Sequence, residues 1–159
     1  MIIFLNGSIN SGKSTVAKLL AQKLPKSALL EIDALSAMIE WMPLEERIPL
    51  NLENALSLIQ NFAKAGLTVI VPYPLSQRNY DYLRERLEDL KAGMRVFTLA
   101  PNIEKALSDT PDRTLTEWEK GRIKQHYDAG IPNPSFGEVI DTTQQAPEET
   151  VAEIMSALS

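Results

Sequence analysis

Two glycines and a lysine at fixed spacing near the start of the chain constrain its fold more than any other feature. The stretch Gly7-Ser8-Ile9-Asn10-Ser11-Gly12-Lys13-Ser14-Thr15 fits G-x-x-x-x-G-K-[ST], the phosphate-binding P-loop. With glycine at about 7% of residues, chance gives such a match in roughly one chain in two hundred of this length. The flanks make chance less plausible still. Ile2-Ile3-Phe4-Leu5 reads as a buried strand, and Val16, Leu19, Leu20 and Leu24 then recur on one helical face. Strand, glycine loop and helix is the setting the motif requires.

The residue types follow from the chemistry. Gly7 and Gly12 permit positive φ and close approach of a ligand to the backbone. The loop through Asn10 and Ser11 turns successive N–H groups inward as a nest for phosphate oxygens, and the helix opening at Lys13, Ser14 and Thr15 adds its dipole. Lys13 can reach β- and γ-phosphates, and the Ser14 hydroxyl can hold Mg²⁺. Nucleotide binding is the expectation.

The 159 residues suit one domain with a sizeable core. Net charge is −5, which argues against a nucleic-acid surface. The chain has no cysteine, excluding disulfides and thiolate metal sites, and its single His126 argues against a histidine metal cluster. The first apolar run is too short for a signal-peptide core, and no stretch is long enough to span a bilayer. A cytoplasmic, non-membrane protein is expected; the oligomeric state is not legible.

Further along, Ala28 to Ile32 reads as a second strand ending in Asp33, followed by a short helix over Ala34–Trp41. Glu45, Glu46 and Arg47 read as a charged loop before Pro49. Leu52, Ala55, Leu56, Ile59, Phe62 and Ala63 then form a helical stripe capped by Gly66. Leu67–Val71 is the third strand, bounded by Pro72-Tyr73-Pro74. Ser76 caps a helix carrying Tyr80, Leu83, Leu87 and Leu90, which ends at Gly93. Met94–Leu99 is the fourth strand, and Asn102 caps a short helix. Thr116 and Glu119 form a capping box, Glu138–Asp141 is a fifth strand, and Pro147 opens the last helix. This alternation predicts an α/β fold: a five-stranded parallel sheet with helices on both faces and ligands bound beyond the carboxyl ends of the strands. That rim collects the P-loop, Asp33, the Pro72–Pro74 loop and the turn after Leu99.

On that rim Asp33 can take a proton from a hydroxyl attacking the γ-phosphate, or hold a Mg²⁺-bound water; equally, it can cap a helix over Leu35 and Ser36. Arg113 and Arg122 flank a polar segment that suits a mobile lid over about 108–121. There, an arginine would spread the charge of a transferring phosphoryl group. Surface pairing with Asp112, Glu117 or Glu119 is the competing role. Arg47 and Arg78 fall in loops near an acceptor region at about 34–65, where substrate contact competes with the commoner role of solvated surface residues; Trp41, Met42 and Tyr73 suit an apolar pocket or, more commonly, core packing. His126 is expected to pack on its helix beside Tyr127.

With these residues in place, the chain resembles small P-loop kinases of the shikimate kinase and adenylate kinase type, and above all chloramphenicol phosphotransferase-like proteins. The matching segments are Asn6–Ser14, Ile32-Asp33 with Pro43 downstream, Gly66–Val71 and Val139–Thr143. The resemblance implies the P-loop NTPase fold, ATP with Mg²⁺, and phosphorylation of a hydroxyl on a small molecule, antibiotics included. It also implies that Asp33 is the catalytic base; Lys13 and Arg113 are the further catalytic residues expected from the motif and the lid, with Arg122 on the nucleotide. Three departures stand out: no Asp ends the third strand, no arginine falls within Ala34–Met42, and the glycine pair that follows the third strand in shikimate kinases is missing. A metabolic or nucleotide kinase, or a non-catalytic nucleotide-binding regulatory module, are the competing readings.

Overall fold

A computed structural model of the chain describes residues 1–90, 92–111 and 113–159. Five strands form one sheet: β1 (Ile2–Asn6), β2 (Ser27–Leu29), β3 (Thr68–Pro72), β4 (Met94–Leu99) and β5 (Glu138–Ile140). Their order is β2-β3-β1-β4-β5, and every pairing is parallel. The helices are α1 (Lys13–Lys23), α2 (Ile32–Ala37), α3 (Leu44–Lys64), α4 (Gln77–Leu87), α5 (Ile103–Ala106), α6 (Glu117–Asp128) and α7 (Pro147–Leu158).

Strand alternation sorts the core into two layers. Ile2, Phe4, Val69, Val71 and Val96 face α3 and α4, meeting Leu52, Ala55, Ile59, Leu83 and Leu87. Ile3, Leu5, Ile70, Phe97 and Leu99 face α1 and α7, meeting Val16, Leu20, Val151 and Ile154. Side chains of successive strand residues point to opposite faces, so near-continuous apolar runs are what a sheet covered on both sides needs. A third, small cluster of Ala106, Leu115 and Ile123, with Ile9 packed against it, sits beside the glycine loop.

The helix ends follow their local chemistry. Ser76, Asn102 and Thr116 each accept a hydrogen bond from the backbone N–H three residues on, and Glu119 completes the capping box on α6. Pro147 opens α7 with Glu148 and Glu149 in its first turn.

Two expected boundaries are corrected. The second strand stops at Leu29, and Ile32 is already the first residue of α2, its side chain 1% exposed in the core. Asp33 therefore lies in the first turn of a helix rather than at a strand end. Glu45, Glu46 and Arg47 are helical too: α3 starts at Leu44 and runs through Pro49. Pro43 stands at the N-cap position, and two glutamates in the first turn suit the dipole. The long apolar stripe beyond outweighs an internal proline, which costs about 3 kcal/mol.

Candidate active site

The glycine loop owes its shape to β1 and α1. Gly7 has φ 142°, and a Cβ there would lie 2.6 Å from both the Leu99 carbonyl oxygen and Ser11 Oγ, so only glycine fits. Gly12 is the left-handed N-cap of α1 at φ 89°. Asn10 is also left-handed, φ 60°, and its Nδ2 donates to the carbonyls of Ala106 (2.9 Å) and Ser108 (3.0 Å). Its side chain thus ties the loop to α5 and the segment after it.

Asn6, at the end of β1 and fully buried, holds three segments in place. Its Nδ2 donates to Thr98 Oγ1 (3.0 Å) and to the Ile131 carbonyl (3.1 Å), and its Oδ1 accepts from the Leu75 N–H at 2.7 Å. One side chain therefore fixes the approach to the glycine loop, the loop after β3 and the loop after α6.

Above these supports opens a cleft of about 850 Å³. Asn10, Ser11, Gly12, Lys13, Ser14 and Thr15 line its floor, with Gly7 buried beneath. Asp33, Arg47 and Tyr73 line it from α2, α3 and the loop after β3, and Arg113, Arg122 and His126 from α6 and the segment before it. Lys105, Thr142 and Gln145 line the end beyond β5.

Lys13 Nζ donates to the Ser8 carbonyl at 2.5 Å, folded back over its own loop. Burial pushes its ammonium down to about 8, a shift opposed by the charge of Asp33 and reinforced by Arg113. Burial, and then the Asp33 charge, push the Tyr73 phenol up to about 12, while Arg122 opposes. Tyr73 is thus a protonated donor in the same cleft as Asp33. The capping alternative for Asp33 does not hold: Glu31 occupies the N-cap of α2, and no side-chain capping bond forms there.

Arg113 and Arg122 both reach the cleft wall. Arg113 is also paired with Glu119, its NH2 lying 2.5 Å from Oε1. The Glu119 carboxyl is held below the usual range, first by the Thr116 N–H and then by Arg113. Of the other partners expected for Arg113, Asp112 lies outside the described residues. The segment before α6 is tied down near its end. Leu115 is 4% exposed, and its N–H donates to Asp109 Oδ1 at 2.9 Å. Thr110 and Arg113, bridged to each other, line the cleft together with Trp118 and Glu119 at the start of α6.

Four expectations are corrected. Trp41 is 80% exposed and, with Met42, stands off the cleft wall, which takes its apolar surface from Leu44, Ile48 and Tyr73. Arg78 stands on α4 rather than in a loop, and it keeps the expected surface role, exposed and away from the cleft. Arg47 is a helical cleft residue, not part of a charged loop. His126 does more than pack beside Tyr127: its Nδ1 lies 3.2 Å from Ser8 Oγ, joining α6 to the glycine loop. Asn6 and His126 carry no signal in sequence, because their partners lie 69 to 125 residues away.

The His126 imidazole is lowered to about 4, by burial first and then by the charges of Arg122 and Lys13. It is neutral in the folded protein, while the unfolded chain takes a proton near pH 6.5. The unfolded state thus binds more protons between about pH 4 and 6.5, so this contribution to stability is complete above that window and lost as pH falls through it. Chemical denaturation at pH 7 and pH 5 is expected to show a larger drop in wild type than in His126→Gln. Equal drops would show that this proton is not linked to folding.

A glycine loop between β1 and α1, on a five-stranded parallel sheet in this order, defines a P-loop protein of the kinase type. Solved structures share the whole arrangement. The tunicamycin resistance protein of Deinococcus radiodurans superposes with a TM-score of 0.71 at 22% identity, covering 99% of this chain and 95% of that one. A gluconokinase from Sinorhizobium meliloti gives 0.72 at 21% identity, over 98% and 90%. Shikimate kinase from Acinetobacter baumannii gives 0.70 at 20% identity, over 99% and 92%. No curated protein matches the sequence. The chain belongs to the chloramphenicol phosphotransferase-like protein family, which it matches over residues 1–159, and it is a phosphotransferase.

Proposed function

We propose that the protein transfers the γ-phosphate of ATP to a hydroxyl of a small molecule. The observation that carries this reading is the single cleft in which the glycine loop, Asp33 and two arginines converge. ATP phosphates would lie on the loop N–H groups and the α1 dipole, with Lys13 on the β- and γ-phosphates. The acceptor would enter between α2 and α3, within 34–65. Its hydroxyl oxygen attacks the γ-phosphorus, its proton passes to the Asp33 carboxylate, and the bond from phosphorus to the β–γ bridging oxygen breaks to release ADP. Arg113 and Arg122 would spread the charge of the phosphoryl group in flight. A lid over about 108–121 would close over the bound substrates, and opening the Arg113–Glu119 pair would be part of that closure.

Among the described residues no group of three or more Asp, Glu, His or Cys side chains can hold a metal by itself. The cleft presents the Ser14 hydroxyl and the Asp33 carboxylate, both exposed. Few oxygen ligands fit Mg²⁺, which keeps several waters and is bound largely through substrate phosphates. The bound ion would neutralise charge on the β- and γ-phosphates. The end of the cleft at Lys105, Thr142 and Gln145 suits the nucleoside. No described helix is long and apolar enough to cross a membrane, and a cytoplasmic setting, where ATP is supplied, belongs to this reading.

The test is a mass-spectrometric screen with ATP, Mg²⁺ and a panel of hydroxylated metabolites and antibiotics. The expected result is ADP formed one-for-one with a phosphorylated product. ADP release at the same rate with and without every acceptor would refute the transfer reading.

A further inference from the structure

Asn10 brings to the glycine loop a side chain that the loop's own shape does not need. Its backbone is left-handed, φ 60°, a conformation glycine adopts freely and most other residues resist. Asparagine tolerates it and adds an amide. Both donors of that amide are used across the fold, on the carbonyls of Ala106 (2.9 Å) and Ser108 (3.0 Å). The preceding Ile9 packs against the cluster of Ala106, Leu115 and Ile123. Two neighbouring loop residues thus hold α5 and the segment that carries Arg113. Further ties run along that segment. Ser108 Oγ donates to the Lys105 carbonyl at 2.7 Å, Asp109 Oδ1 accepts from the Leu115 N–H, and Thr110 and Arg113 exchange backbone bonds of 2.9 and 3.1 Å. On its other side α5 is pinned by Lys105, whose Nζ donates to the Thr142 and Thr143 carbonyls at 2.7 and 2.6 Å.

We propose that Asn10 is a positioning residue for phosphoryl transfer: its side-chain amide holds the Arg113 segment in register with the glycine loop, so that Arg113 meets the phosphoryl group lying on that loop. The inference rests on the kinase reading of the cleft. Arg113 is paired with Glu119, and the pair has to open before the guanidinium can reach a phosphoryl group. Once it opens, the arginine is placed by the root of its segment, and that root is Ser108, held by Asn10. Two N–H groups of one planar amide fix the root in direction as well as distance. Asn10 itself touches neither acceptor nor phosphoryl group through this amide; it acts through Arg113. Misplacing a group of this kind by about 1 Å costs on the order of a hundredfold in rate. Glycine at position 10 would keep the loop and lose the register.

Two measurements on the full chain test this. In the first, Trp118 reports closure: it is 60% exposed, lies in the first turn of α6 and lines the same cleft. Trp41→Phe removes the other tryptophan of the chain. In that background a non-hydrolysable ATP analogue with Mg²⁺ should shift Trp118 emission to the blue. Asn10→Gly should lose most of the shift while binding the analogue within about threefold of the parent. Asn10→Asp suits φ 60° equally but has no N–H to give, so it should lose the shift too, and it decides the point where Asn10→Gly does not fold. In the second, kcat at saturating ATP is compared for Asn10→Gly, Arg113→Ala and the double variant, on the acceptor found by the screen. Asn10→Gly should cost about tenfold or more alone, but less than about threefold in Arg113→Ala, because its effect runs through that arginine. A merely structural Asn10 would cost the same in both backgrounds. Equal costs, no shift in the parent, or a full shift in the Asn10 variants overturns the assignment. Transfer is scored separately: a chain that moves no phosphate counts against the kinase reading, and the emission shift then decides for Asn10 by itself.

Discussion

Asp33→Asn is expected to fold normally, to bind ATP as wild type does, and to lose on the order of a hundredfold or more in kcat. Asp33 is exposed on the cleft wall, in the first turn of α2, with its negative charge felt by both Lys13 and Tyr73. Asparagine keeps the size and the polarity but cannot accept the hydroxyl proton. Stability should change little. Glu31 rather than Asp33 holds the N-cap position, so the substitution removes only a favourable charge near a helix start, about 0.3–1 kcal/mol. The transition state for phosphoryl transfer is loose, so the carboxylate contributes by orienting the hydroxyl as well as by taking its proton. Single-turnover transfer to the acceptor found by the screen, alongside a melting curve, measures both parts. Transfer within about threefold of wild type at normal stability would eliminate Asp33 as the base.

The strand–loop–helix at the start of the chain was fully legible because its signals are local. Gly7 and Gly12 are required by backbone conformations that sequence spacing alone reveals, and Ile2 to Leu5 can only be a strand buried on both faces. Capping residues were legible for the same reason: Ser76, Asn102 and Thr116 each act within three residues of themselves. Legibility fails where tertiary packing decides. Leu29, Leu30 and Ile32 form a short apolar run that strand and helix accommodate equally. The choice falls to Ile32 entering the core as a helical residue, which moves Asp33 off the strand. Pro49 reads as a breaker, but the stripe from Leu52 onward packs on the sheet and carries the helix through it.

The candidate site divides in the same way. Lys13, Ser14 and Thr15 are tied to the loop by adjacency. The rule for parallel sheets puts Asp33 on the rim, and Arg113 and Arg122 flank the expected lid; all three line one cleft. Arg47 and Arg78 looked equivalent as sequence, yet only the first faces the cleft. Asn6 and His126 act across contacts 69 to 125 residues away. No local pattern marks either.

Lys13→Ala carries the largest effect expected of any single substitution. In the folded chain Lys13 Nζ is bonded to the Ser8 carbonyl at 2.5 Å, and burial has lowered its ammonium to about 8. A bound nucleoside triphosphate brings several negative charges to that ammonium and draws its pKa back up. Binding near pH 8 must then be accompanied by proton uptake, and affinity should decline as pH rises above about 8, where the free lysine is increasingly neutral. Calorimetric titration of ATP·Mg²⁺ in two buffers of different ionisation heat measures the uptake. Wild type should take up a fraction of a proton at pH 8, and Lys13→Ala none from this site. In turnover, the variant loses a preorganised cation where charge develops, which for comparable donors is on the order of a hundred- to a thousandfold in kcat. The substitution leaves the loop backbone and the α1 dipole in place, so residual nucleotide binding should persist while transfer collapses. Proton uptake equal to that of wild type, together with unchanged turnover, would remove Lys13 from the phosphate site and with it the reading of the cleft built upon that residue.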